Sequence, residues 1–203
     1  MGLPTGLSRH RQLLVEGNDQ RNFFEALARH LGVAEALQIC DFGGIDQLRG
    51  FLAAFVKMPD FGSVRSVGIV RDAERSEDAA FRSVQSSLEN ANLAVPNAPS
   101  QPTGENPQVT VLILPGDGHS GMLETVLCRT LVDDGTNRCI DDFFECVEGL
   151  PDMTIDNPDK ARAFAYLATR RNPHHSVGVA AKAGVWDLDH AAFEGIRDFL
   201  RGL

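Results

Sequence analysis

Two carboxylates, Asp72 and Glu74, close the apolar run Val67-Gly68-Ile69-Val70-Arg71. A short β-rich run without alternation reads as a strand buried on both faces, the form strands take in a parallel sheet covered by helices. Residues just past its carboxyl end lie where open α/β sheets hold their ligands. Successive strand side chains alternate between faces, so residues 72 and 74 are expected to share a side and converge on one cation. Leu13-Leu14-Val15 ends in the same way on Glu16-Gly17. If the two strands are parallel, Glu16, Asp72 and Glu74 face one crevice, where like charges raise one another's pKa unless a cation neutralises them. Hard oxygen ligands and retained waters suit Mg²⁺. A bound divalent ion would also turn local repulsion of phosphate into attraction. The plainer alternative makes Glu16 a solvated turn residue and lets Asp72 and Glu74 favour the N-terminus of the next helix.

The elements that must position these acids alternate strand with helix. Arg11 to Val15 is followed by a helix with Phe23, Phe24, Leu27 and Leu31 on one stripe, capped by Asn18 or Asp19 and stopped by Gly32. Leu37 to Phe42 leads through Gly43-Gly44 into a helix with Leu48, Phe51, Leu52, Phe55 and Val56 inward. The Val67 strand precedes a helix from Ser76 to Asn90, and Val109 to Leu114 is a fourth strand before a helix from about Met122 to Val132. Such repeats argue for parallel strands joined by right-handed crossovers. Between Leu93 and Gln108, four prolines among Asn, Ser, Thr and Gly leave no regular element, and a solvated connector is favoured over a lid. Beyond residue 131 the pattern is helical over Ile140 to Val147, Pro158 to Arg171 and Asp189 to Leu203. Val177 to Lys182 is ambiguous and is read as a short extended piece. The expected class is α/β, a mainly parallel sheet of about four strands flanked by helices. The core spans about 11–130, with a helical extension over about 131–203, in a single domain.

At 203 residues with 43% hydrophobic content, the chain is long enough for one buried core and short for two. A formal charge of −9 opposes indiscriminate coating of nucleic acid. A phosphate ligand would therefore need a metal or a local basic patch. Cys40, Cys128, Cys139 and Cys146 form no CxxC pair and read as buried free thiols in a reducing compartment rather than as a zinc site. No apolar stretch has the length of a signal peptide core or a membrane span, and Gly6 stands where a myristoylation signal wants Ser or Thr. A soluble, cytoplasmic protein with no membrane partner is expected.

Leu13-Leu14-Val15-Glu16-Gly17 followed by Gly68-Ile69-Val70-Arg71-Asp72-Ala73-Glu74 resembles the toprim domain of topoisomerases, bacterial primases, small RNA-maturation nucleases and the overcoming-lysogenization-defect nucleases. The resemblance covers roughly residues 11 to 130. The whole chain is similar to stand-alone toprim-like proteins of unassigned function, with Leu114 to Gly116 and Gly121 to Glu124 matching their Leu-Pro-Gly and Gly-Met-Leu-Glu segments. It implies a Rossmann-like toprim fold and Mg²⁺ or Mn²⁺ serving phosphodiester hydrolysis on nucleic acid or a nucleotide. One ion would be held by Glu16 and Asp72, a second near Asp72, Glu74 and Glu124. The catalytic set it implies is Glu16, Asp72 and Glu74, with Lys182 matching the family's transition-state lysine. There are two departures. Glu74 replaces the second aspartate of the Asp-x-Asp pair, and Gln20, with Asp19 one position earlier, stands where the nuclease branch has a further acid. The only tyrosine, Tyr166, falls within an expected helix near its inner face, which argues against strand passage. Modules of the lysogenization-defect type are joined to ATPase domains. The alternative function is therefore a non-catalytic metal- or nucleotide-binding partner of an ATPase, since this sequence has no GxxxxGK[ST] loop.

A rival motif is Gly116-x-Gly118-x-x-Gly121, which matches the dinucleotide fingerprint after a strand. It comes at the fourth strand, behind Pro115, and no strand with a terminal acid follows about twenty residues on. A tight turn into the next helix is the plainer reading. His119 in that turn and the His174-His175 pair beside Arg170-Arg171 read as surface residues. Asp133-Asp134 and Asp141-Asp142 read as solvated helix ends.

Overall fold

The computed structural model describes residues 4–174 and 176–203. Four strands, β1 (Arg11–Val15), β2 (Leu37–Asp41), β3 (Ser66–Asp72) and β4 (Gln108–Leu114), form one sheet in the order β2-β1-β3-β4. Every ladder is parallel. The chain steps from β1 out to β2, then crosses back to place β3 on the other side of β1. The boundary between β1 and β3 is therefore the point where the winding reverses. The α/β architecture with a parallel four-stranded sheet is the one expected from the strand–helix alternation.

Alternation within the strands divides the apolar residues between two cores. Leu13, Val15, Val70, Leu112 and Leu114 face α1 (Gly17–His30) and the helices that follow β4. Leu14, Val67, Ile69, Val109, Val111 and Ile113 face α2 (Leu48–Phe55) and α3 (Glu77–Asn90). The later helices are α4 (Leu123–Arg129), α5 (Gly135–Glu148), α6 (Pro158–Ala168), α7 (Val177–Lys182) and α8 (Glu194–Gly202). Residues 131–203 are thus half of a sandwich. Phe193, Ile196, Phe199 and Leu200 join Phe23 and Phe24 in one cluster. Gly68 lets this happen, since a Cβ there would meet Leu203 Cδ1 at 2.8 Å and Phe199 Cζ at 2.9 Å. Full burial of each Phe or Leu contributes about 2–3 kcal/mol, so α8 is seated mainly by its contact with the sheet.

Several local expectations are corrected. Residues 177–182 are helical, not extended: Ser176 Oγ accepts the Val179 N–H as an N-cap, and Val177, Gly178, Ala180 and Ala181 are buried. Helix α1 is not capped by Asn18 or Asp19. Its N-cap is Glu16, whose own N–H donates to Gln20 Oε1 at 2.9 Å. Helix α4 is shorter than the periodicity suggested, ending at Arg129. Of the cysteines, Cys40 is buried, Cys128 is half-buried, and Cys139 and Cys146 are exposed on α5. Asp134 is not merely solvated: it caps α5 by accepting the Thr136 N–H. Asp141 lies within that helix and pairs with Arg162 at 2.6 Å. The proline-rich connector lies along the outer edge of β4, where Ser100 N–H donates to Val111 O and Thr103 bridges Val109. That covers backbone groups an edge strand would otherwise present for pairing.

Candidate metal centre at the winding reversal

Glu16 follows β1 directly and Asp72 ends β3, so both stand at the carboxyl edge, astride the reversal. This is the crevice where open parallel sheets bind ligands. The register refines the picture. Leu14 pairs with Ile69, so the end of β1 lies beside the last residues of β3, and Glu16 is near enough to Arg71 and Asp72 to act on the charge of both.

Asp72 is half-buried, and its Oδ1 accepts the Leu123 N–H at 3.1 Å. Burial, then the charges of Glu16 and Glu124, push its carboxyl up to about 8; the Leu123 N–H and Glu74 are smaller influences of opposite sign. That shift favours the protonated carboxyl at neutral pH. Glu124, in the first turn of α4, is 8% exposed, and burial raises its pKa as well, against the pull of its own backbone N–H and Lys160.

Glu74 is not positioned by strand alternation. It lies beyond the end of β3 with φ +54°, in the left-handed region, and its N–H and C=O exchange hydrogen bonds of 2.8 Å with Gly121. The side chain is exposed at the lip of the crevice. Gly121 belongs to the GxGxxG turn, and the structure accounts for it without a dinucleotide: a Cβ there would run into the Thr125 side chain. The N-terminus of α4, where a pyrophosphate would sit in the dinucleotide reading, is already met by the Asp72 carboxylate.

Arg71 escaped the sequence reading as a site residue. Its Nη1 donates to Ala80 O at 2.9 Å, and its Nε is buried without a hydrogen-bond partner. Burial depresses its pKa, while Glu16, Glu74 and Asp72 act to hold the charge on it. The available signal was its adjacency to Asp72; what placed it beside Glu16 was the register between strands far apart in sequence.

Three other residues lie elsewhere or are already engaged. Gln20, 3% exposed, spends its Oε1 on the Glu16 N–H and leaves Nε2 without a partner. Its one possible ligand atom therefore already accepts a hydrogen bond. Asp19 accepts the Ser176 hydroxyl and the Gly178 N–H, joining α1 to α7. Lys182 donates to Glu25 Oε2 and Asn22 Oδ1, each at 2.5 Å, roughly 9 Å along α1 from Glu16 by helical rise. Tyr166 is buried and donates its hydroxyl to Asp134. His119 is exposed and His174 half-buried; His175 lies outside the described residues.

Among the described residues, no three His, Cys, Asp or Glu side chains close on one point as a preformed cage. Mg²⁺ does not require one, because it keeps several waters and is commonly held by one or two carboxylates. The donor set suits such an ion: hard carboxylate oxygens, crowded enough to raise one another's pKa and partly withdrawn from solvent. Beside Glu16 opens a cleft of about 860 Å³ lined by Asn18, Arg21, Ile39, Cys40, Asp41 and Gly43 among others. No helix of the described residues is long and apolar enough to cross a membrane.

A family model described as "Protein of unknown function (DUF3226)" matches residues 10–203. No curated protein matches the chain. Among solved structures, the chain is similar to the C-terminal region of the OLD protein of Xanthomonas campestris pv. campestris. The mercury-phased structure shares 13% identity at a TM-score of 0.49 over 96% of each chain. The iodine-phased one shares 14% at 0.47 over 96% of this chain and 95% of that one. Likenesses at this level carry no activity across.

Proposed function

The chain belongs to the DUF3226 family, whose description assigns no activity, and we propose that it is a nuclease-like phosphodiester hydrolase dependent on Mg²⁺ or Mn²⁺. The observation that carries this reading is the placement of Asp72, a strand-end carboxyl at the winding reversal whose Oδ1 accepts the Leu123 N–H and whose pKa burial and the nearby Glu16 and Glu124 raise. A buried cluster of like charges costs stability unless something neutralises it. A divalent cation does so, and its place at the carboxyl edge is where a ligand is expected.

In this reading Glu16 and Asp72 would hold the ion from the two strands flanking the crevice, with waters completing its shell, while Glu124 on α4 adds negative charge nearby. When bound, the ion supplies Lewis-acid polarisation of a phosphoryl oxygen and a nucleophile at neutral pH. Arg71 stands beside Glu16 as a cation that offsets charge developing on the phosphorus oxygens. Glu74, at the exposed lip, meets the solvent side of the substrate. The cleft beside Glu16 is large enough for a nucleotide unit flanking the scissile phosphate. Because Gln20 is a neutral amide, a poorer ligand than the acid of the nuclease branch, and its Oε1 already accepts the Glu16 N–H, a single ion held by Glu16 and Asp72 is favoured over a pair. Lys182 would have to leave Glu25 and Asn22 to act as a transition-state lysine.

That last arrangement supports a second reading, a metal- and nucleotide-binding module that does not cut and serves an ATPase partner. One assay separates the two: Mn²⁺- or Mg²⁺-dependent cleavage of single- and double-stranded DNA and RNA, with Asp72→Ala and Glu16→Gln alongside. Metal-dependent cutting that both substitutions abolish supports the hydrolase. Metal binding with no cutting of any of these substrates rejects it in favour of the module.

A further inference from the structure

Helix α5 is more apolar than its packing requires. Its inner residues Ile140 and Phe144 are buried, and Arg162 of α6 lies over the Phe144 ring at 5.4 Å while pairing with Asp141 at 2.6 Å. The neighbouring stripe is bare. Phe143 is 57% exposed, and Cys139 and Cys146, four residues before it and three after, are exposed as well. Val132, in the turn before the helix, is 72% exposed, and Leu150 and Met153, in the segment after it, are 54% and 50% exposed. Four of the five large apolar side chains exposed among the described residues therefore fall between 132 and 153. Along α5 the spacing of four then three residues is that of a helix seam made to pack against another helix.

Charge selects the occupant. Residues 132–153 carry seven acidic side chains and one basic one, Arg138. A second copy of α5 would bring acid against acid along the seam. An anionic lipid surface would be repelled for the same reason. We propose that the outer face of α5 is a docking surface for an amphipathic helix of a partner protein, with an apolar stripe seated on Phe143 and Leu150 and basic residues along its flanks. Such helix-on-helix recognition reads the partner as anchors three and four residues apart. The surface is formed by α5 and the segment after it, so the proposal does not depend on the chemistry at the sheet edge.

The exposed thiols provide the readout. The full chain is treated with a maleimide in the presence of a synthetic helix bearing leucines on one stripe and lysines on both flanks. Control peptides have the leucines scrambled off the stripe or the lysines replaced by glutamates. The lysine-flanked peptide is expected to protect Cys139 and Cys146 from labelling, the controls not. Phe143→Glu, at an exposed position that does not threaten folding, is expected to weaken that peptide at least about thirtyfold, the effect of losing a hot-spot anchor. Equal protection by the scrambled peptide, or an unchanged affinity in Phe143→Glu, overturns the proposal. So does concentration-dependent protection without peptide accompanied by a dimer in sedimentation, which would make a second copy the occupant.

Discussion

Asp72, at the end of β3, and Glu25, on α1, sit in opposite circumstances. Glu25 receives Lys182 Nζ at 2.5 Å and Arg21 Nε at 3.0 Å, and beside it Asp19 accepts the Ser176 hydroxyl and the Gly178 N–H. These acids are matched donor for acceptor, and together they clamp α7 to α1. Glu16 shares its surroundings with Asp72, whose proton it helps to retain, and with Arg71. One group of acids is satisfied by the fold. Asp72 instead has its pKa raised by burial and by neighbouring acids, in the crevice where ligands bind, and that is what marks it as functional rather than structural.

The largest effect is expected at the satisfied end. Gly178→Ala would drive a Cβ into the Asp19 carbonyl oxygen, backbone that has no room to retreat. We expect a loss of about 2–3 kcal/mol, a Tm lower by roughly 5–10 °C for a domain of this size, and Mn²⁺ binding retained by the folded fraction. Thermal melts beside a metal titration check this; loss of metal binding at full stability would erase the distinction between the two regions.

At Asp72 the sign reverses. Asp72 ionises at about 8 in the folded chain against an ordinary value of 3.8. Below about pH 4 both states hold the proton and nothing is contributed. Between about 4 and 8 only the folded state holds it, so unfolding releases a proton and stability falls as pH rises. Asp72→Asn keeps an acceptor for the Leu123 N–H and removes the charge. In metal-free buffer it should flatten that slope and raise stability at pH 8, read from urea melts across the range. A variant less stable than the parent at pH 8 would show that Asp72 is already matched by the fold.

The smallest effect sharpens the role of Lys182. Its pair with Glu25 is about 70% shielded on both sides. Lys182→Ala should cost about 1 kcal/mol, toward the upper end for a partly exposed pair, and leave any metal-dependent cleavage within about twofold. A loss nearer a hundredfold, the scale of removing a transition-state donor, would return Lys182 to the site.

Much of this was legible in the sequence, for physical reasons that differ by element. The four strands announced themselves as apolar runs closed by acids or glycines, and their alternation with helices implied parallel pairing. That Glu16 and Asp72 end strands at one edge followed from the same argument. The position of Arg71 did not, because the register of β1 against β3 is fixed by packing across the sheet rather than by neighbours in the chain. Residues 177–182 misled because Val, Gly and Val weigh against a helix in so short a segment. What makes it one is the Ser176 cap and the clasp on Asp19, and only the cap was visible locally. The thiols of α5 were expected inside because their spacing is helical and apolar, yet α6 covers only the adjacent face.

The central claim, that a cation takes the place of the Asp72 proton at the sheet edge, is tested most directly by calorimetric titration of the metal-free protein with Mn²⁺ at pH 7 in buffers of different ionisation enthalpy. The account predicts close to one proton released per ion bound, with neither binding nor release in Asp72→Asn. Binding without proton release, or undiminished in that variant, would contradict it.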